Sequence, residues 1–200
     1  MKRTFTILLA ALFATAILAK ETAQQARTIL DKAAAVVTSN GGATASFSMS
    51  GKYGNTSGTI SVKGNQFCAT TPQTIIWNDG KTQWTYNRGA EEVNVSNADE
   101  GGQTLNPYAF VSVYKQGFTM TSKTVGAKYE VHLTAQSKSR TIQEMYITVN
   151  KLYQPTLIKV RTSKGWSTIS VSNFRTKSLP DSAFRFRSAD YPRAEVIDLR

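Results

Sequence analysis

The run from Trp77 to Val95, WNDGKTQWTYNRGAEEVNV, constrains the fold more than any other stretch of the chain. Asp79-Gly80 and Arg88-Gly89 are hairpin turn signals, and the apolar residues around them alternate, so the run reads as three antiparallel strands in a meander. Trp77, Trp84 and Tyr86 give that meander a broad aromatic face. A contiguous aromatic surface of this size is not left in water, so some other layer must cover it.

The rest of the chain extends the same architecture. Thr22 with Gln25 fits a capping box, and Ala26, Ile29, Leu30, Ala33, Val36 and Val37 recur at helical spacing until Asn40-Gly41-Gly42. From Ala43 the period changes to two: Ala45, Phe47 and Met49, then Ile60 and Val62, then Phe67 and Ile75 to Trp77. Asn106-Pro107 reads as a helix start, with Phe110, Val111, Tyr114 and Phe118 at three- and four-residue steps and Gly117 near its end. Strands then resume at Tyr129 to Leu133, Met145 to Val149, Ile158 to Val160 and Ile169 to Val171. The expectation is a mainly β, α+β domain with about 10-11 strands and few helices. So large an antiparallel sheet tends to curl, and its apolar face must meet another layer. A sandwich could cover itself; a curled sheet with helices as cover would instead enclose a hollow. Pattern alone leaves both open.

Residues 1–19 read as a signal peptide rather than as part of the domain. Lys2 and Arg3 precede an apolar stretch from Thr4 to Leu18, and Ala14, Ala16 and Ala19 offer small residues for cleavage. That stretch is short for a bilayer span, which takes about 20 residues. One domain over 20–200, exported and cleaved near Ala19, is the expectation. Cys68 is the only cysteine, so no internal disulfide can form and the core must hold the fold. The formal charge of +11 falls to +9 without Lys2 and Arg3. The remaining basic residues are scattered, without a nucleic-acid-binding motif, so no nucleic acid is expected as partner.

Catalytic and metal chemistry find little support in the residues. His132 lies between Val131 and Leu133, on the polar side of a strand. Ser57 in Gly54-Asn55-Thr56-Ser57-Gly58 is one position late for a nucleophile elbow and sits in a hairpin. Glu91 and Glu92 would point to opposite faces of a strand, and one Cys with one His cannot make a zinc set. The reading is a non-enzymatic protein with no catalytic residue, no metal and no cofactor.

The order of elements resembles the periplasmic outer-membrane lipoprotein carrier family, the Lol carrier. The resemblance rests on Asp79-Gly80-Lys81, Trp84-Thr85-Tyr86-Asn87, Asn106-Pro107, the segment Leu179-Pro180-Asp181-Ser182-Ala183-Phe184-Arg185-Phe186, and Glu195-Val196-Ile197-Asp198. It implies an open, strongly curled antiparallel half-barrel with helices as a lid over a hydrophobic cavity for the acyl chains of lipoproteins. It also implies cargo taken from an inner-membrane ABC release complex and delivered to an outer-membrane receptor. One departure stands out. The family often carries Arg-Pro at the end of the strand holding Ile60 and Val62, where the arginine tethers the lid; this chain reads Val62-Lys63-Gly64-Asn65, with Gly64 at the arginine position.

The resulting expectation is a monomeric carrier in the periplasm, with a lipid- or lipoprotein-sensing module of the same fold as the alternative. The expected cavity lining is Phe47, Met49, Ile60, Val62, Phe67, Trp77, Trp84, Tyr86, Val93, Val95, Val131, Leu133, Met145, Ile147, Ile158 and Val160, with Phe110, Val111 and Tyr114 on the lid.

Overall fold

The computed structural model describes residues 22–38, 41–51, 54–98 and 113–200. They form a helix, α1, over 22–37 and one sheet of twelve strands. The strands are β1 (Ala43–Gly51), β2 (Gly54–Lys63), β3 (Gln66–Thr70), β4 (Thr74–Asn78), β5 (Thr82–Asn87), β6 (Glu92–Asn97), β7 (Phe118–Val125), β8 (Lys128–Ala135), β9 (Ile142–Asn150), β10 (Pro155–Thr162), β11 (Gly165–Thr176) and β12 (Glu195–Asp198). Their order across the sheet is β12-β6-β5-β4-β3-β2-β1-β11-β10-β9-β8-β7. All neighbours are antiparallel except β12, which runs parallel to β6. The sheet is an open half-barrel, not a sandwich and not a closed barrel.

Two strands differ from the sequence reading. Phe118 opens β7 instead of closing a helix: among the described residues Val113–Lys115 makes a single 3-10 turn, and Gly117, at φ +76, reverses the chain into the strand, while the expected helix start at Asn106-Pro107 lies outside the described residues. The two-residue period there rests on Phe118 and Met120 alone, because the remaining positions are Thr, Ser, Lys and Val. β12 is the other addition, a four-residue strand whose parallel pairing with β6 no local pattern announces.

Helix α1 covers one face of the sheet across most of its width. Ala26, Ile29, Leu30 and Ala33 pack with Val131, Leu133, Met145, Ile147, Ile158 and Val160 of β8 to β10. One to two turns on, Ala34 and Val37 pack with Val62, Phe67 and Ala69 of β2 and β3. A straight helix touches strands from both halves only because the sheet curls around it.

Two glycines show how tightly the N-terminal half is built. A Cβ on Gly58 of β2 would stand 1.9 Å from the carbonyl oxygen of Thr70, and the Phe47 ring fills the space beside it. Gly64 has open space around it but sits at φ +57, in the two-residue turn between β2 and β3. Gly58→Ala must therefore pry β2 from β3 and should cost about 3 kcal/mol or more. Gly64→Ala should cost only the left-handed backbone strain of about 1 kcal/mol. Denaturant unfolding of the two variants checks the difference; equal losses would contradict it.

Candidate functional site

Residues opposite one another in an antiparallel ladder share a face, so the register sorts every strand residue between the face α1 covers and the outer face. From Phe47 the helix face runs through Ala45↔Ile60, Ala43↔Val62, Val62↔Phe67 and Ile60↔Ala69. In the other direction it runs through Met49↔Ile169, Ile169↔Ile158, Ile158↔Ile147, Ile147↔Val131, Val160↔Met145 and Met145↔Leu133. Eleven of the residues expected to line a cavity therefore do share one surface: Phe47, Met49, Ile60, Val62, Phe67, Val131, Leu133, Met145, Ile147, Ile158 and Val160. Ile169 and Val171 of β11, Met120 of β7 and Val149 of β9 extend it. The first, second and last of these were visible as strand residues but were not counted in the lining; Met120 was hidden by the helix reading of its neighbourhood.

The other five residues lie on the opposite side of the sheet. The pairs Cys68↔Trp77, Ile75↔Tyr86, Trp77↔Trp84, Trp84↔Val95 and Tyr86↔Val93 form one surface, whereas Phe67 of the helix face opposes Asn78. No irregularity interrupts the register from β2 to β6, so Trp77, Trp84, Tyr86, Val93 and Val95 face outward, away from α1. The sequence reading joined the aromatic meander to the cavity because period-two alternation says which residues share a face and not which face it is. On β4 to β6 the helix face is polar apart from Ile76, which packs against the cluster at Val37 and Phe67: Asn78 and Gln83 are both buried there, and Asn78 Nδ2 donates to Gln83 Oε1 at 3.4 Å.

The chain's own C-terminus covers the aromatic face. After β11 the backbone bonds to the α1–β1 connection, with Lys177 N donating to Gly42 O and Leu179 N to Gly41 O. Lys63, at the end of β2, donates to Leu179 O at 2.9 Å and pairs with Asp181 at 2.8 Å. The Lys63 hydrogen bond and charge hold the Asp181 carboxyl below its ordinary range. The segment then makes a one-turn helix, Asp181–Phe184, and buries Phe184 completely. Arg185 pairs with Asp79 at 3.2 Å. Phe186 lies 5.7 Å from Trp77 between ring centroids, and Tyr191 lies 5.4 Å from Trp77 and 4.7 Å from Tyr86. Finally β12 docks on β6. We call residues 177–198 the strap.

On the helix face, Tyr114 is the one described member of the expected lid; Phe110 and Val111 lie outside the described residues. Its ring is buried in the cluster beneath α1, and its hydroxyl donates to Asp31 of α1 at 2.5 Å. Arg27 of α1 also donates to Lys115 O at 3.4 Å. Helix α1 and the 113–115 turn are thus latched together. Between the C-terminal end of α1 and the sheet there is an apolar cavity of about 70 Å³, bounded by Val37, Ala45, Ile60, Val62, Ile158 and Val171 among others. A water molecule takes about 30 Å³, so the cavity is far smaller than a long acyl chain.

Comparison with known proteins decides the relationship. A family model described as outer membrane lipoprotein carrier protein LolA matches residues 16–164. The chain belongs to that LolA family. No match was found among curated proteins. Among solved structures, an uncharacterised conserved protein from Thermus thermophilus is similar at a TM-score of 0.61 and 12% identity, over 87% of this chain and 99% of that one, and it shares the fold. A LolA superfamily protein from Nitrosomonas europaea is similar at 0.43 and 12%, over 80% and 97%. The lipoprotein LppX of Mycobacterium tuberculosis is similar at 0.46 and 6%, over 78% and 97%.

At the position where the sequence departs from the lid-tethering arginine of the resemblance, this chain has a left-handed Gly64, and the basic group beside it, Lys63, holds the strap. The strap also bears on Cys68, which faces outward beside Trp77 and whose thiol is pushed up by burial, the Thr70 hydrogen bond only partly opposing. Since the thiolate is the reactive form, labelling of Cys68 by a small maleimide should be slow and should go on rising past pH 9.0, the ordinary value, before it levels off. Phe186→Ala with Tyr191→Ala should speed labelling at pH 8 by about tenfold or more, as the thiol regains solvent. An unchanged rate would mean that the strap does not control access to that face.

Proposed function

We propose that this chain is a non-enzymatic carrier of lipoprotein acyl chains, working in the periplasm as a single domain over 20–200 after removal of a signal peptide near Ala19. In this reading it takes cargo at an inner-membrane ABC release complex and passes it to an outer-membrane receptor, as a monomer. Membership of the LolA family supports the reading. The observation that carries it is the helix face: an apolar surface running from β3 to β7, covered among the described residues by one helix and a single turn.

The cavity between α1 and the sheet is too small for an acyl chain, so in this reading cargo replaces the cover formed by α1, and the magnitudes permit this. Each methylene of an acyl chain gains ~0.8 kcal/mol on burial, so a sixteen-carbon chain gains on the order of 12 kcal/mol. Re-exposing the large apolar side chains of α1, Ile29, Leu30 and Val37, costs about 2 kcal/mol each, roughly 6 kcal/mol together. The exchange is favourable but not overwhelmingly so, which suits a carrier that must release what it holds. Met49, Met120 and Met145 add side chains that can repack around an irregular ligand.

The Tyr114–Asp31 bond is then the group that sets how readily the cover opens. Tyr114→Phe should lower stability by about 1–3 kcal/mol and accelerate uptake of a fluorescent sixteen-carbon acyl probe several-fold, with unchanged stoichiometry. The probe's own emission is the readout, because Trp77, Trp84 and Trp166 all lie on the outer face. Failure of the wild-type chain to take up the probe saturably, or lost stability with an unchanged uptake rate, would make α1 a fixed part of an ordinary core.

A further inference from the structure

The outer face of β8 to β11, beyond the strap, carries a second constructed surface. One rung of the ladder runs His132, Tyr146, Lys159, Thr168 across four strands. His132 and Tyr146 stack at 4.3 Å with their planes 3° apart, and Trp166 lies 5.9 Å from Tyr146. Glu144 ties the array together. Its carboxylate lies 2.8 Å from His132 Nε2, accepts from the Tyr146 hydroxyl at 3.0 Å and pairs with Arg161 at 2.8 Å. Arg161 in turn lies over the Trp166 ring at 5.9 Å. Each aromatic side chain is thereby held in place before any ligand arrives.

Between Tyr146 and Trp166 runs a groove of about 520 Å³, lined by Glu130, Tyr146, Lys159, Trp166 and Thr168. Its charges are unevenly satisfied. Glu130 is paired with Lys123 at 2.9 Å and Glu144 with Arg161, whereas Lys159, at the centre of the rung, has no ion pair or hydrogen bond among the described residues. Trp166 is 43% exposed, one of the few large apolar side chains left in water. A groove walled by Trp and Tyr, with Arg at its rim, has the composition of a protein-binding hot spot, and its fixed rings lose little entropy on binding. Its unspent charge is positive, so the complementary ligand is anionic.

We propose that this groove docks an extended acidic segment of a partner protein, one carboxylate on Lys159 and an adjacent apolar side chain between Tyr146 and Trp166. It is a site distinct from the helix face and does not depend on acyl-chain carriage.

The test is fluorescence anisotropy of a dye-labelled peptide of alternating Glu and Tyr, with an alternating Lys and Tyr peptide as comparison. The acidic peptide should bind and the basic one should not. Lys159→Glu and Trp166→Ala should each weaken binding by at least about tenfold. Lys138→Glu, the same charge change in the exposed turn between β8 and β9, should weaken it by less than about threefold. Thermal melts close to wild type confirm that the variants fold. Equal weakening by Lys138→Glu would reduce the effect to net charge and overturn the proposal. So would no binding of the acidic peptide, or a dependence on Lys159 and Trp166 seen only with phosphatidylglycerol vesicles.

Discussion

A β-strand shows its side chains to two sides in strict alternation, and an unbroken ladder transmits that choice from strand to strand. Here the ladder is unbroken from β1 through β2 to β6. A single sheet consequently carries two apolar surfaces on opposite sides. One spreads from β3 to β7 under α1, and the other is confined to β4 to β6 under the strap. The parity Phe67↔Asn78 and Cys68↔Trp77 is where the two part company. Every other feature follows from it. The sheet needs two covers, the N-terminal helix can supply only one, and the C-terminal segment must cross to the far side to supply the second.

The covers differ in how they are attached. The strap is held by backbone hydrogen bonds at both ends, by Lys63 with Asp181 and Arg185 with Asp79, and by rings packed on rings. Helix α1 is held mainly by apolar packing, with a few polar ties: the Tyr114–Asp31 bond and the Arg27 bond to Lys115 O before β7, and the Lys32 bond to the Tyr153 hydroxyl. Apolar packing is non-directional and can be exchanged for another apolar partner, whereas a set of directional bonds is lost when its geometry is lost. The chain thus places the exchangeable cover over the larger surface and the fixed cover over the smaller.

Much of this was legible in the sequence, and the rest was missing for identifiable reasons. The helix, ten of the strands and the meander turns follow from periods of 3.6 and 2 and from Gly-containing turn pairs. The lining on β1, β2 and β8 to β10 followed as well, because its strands alternate strongly. β7 was missed where Phe118 also satisfied a helical step, and β12 because a four-residue strand depends on a partner distant in sequence. The side taken by Trp77, Trp84 and Tyr86 could not be read, since either face satisfies the same alternation and only the register with β3 distinguishes them. Phe186 was in view as part of a motif, but nothing local indicates that it packs on Trp77 of the meander.

The pairing of β1 with β11 bears on how the molecule assembles. Ala43 opposes Thr176 across the middle of the sheet, so the two halves join along a seam made by the first and the last but one of the twelve described strands. Each half is a run of local hairpins that can form early, but the seam must wait for the chain's end, and such long-range pairings are slow. Until then β1 presents a bare edge of unpaired backbone groups, the kind of edge that recruits foreign strands. The Ser46, Ser48 and Ser50 side chains on its outward side, with Ser170 and Ser172 opposite, keep that unfinished edge polar and offer little apolar surface to a wrong partner while the correct one is still to come.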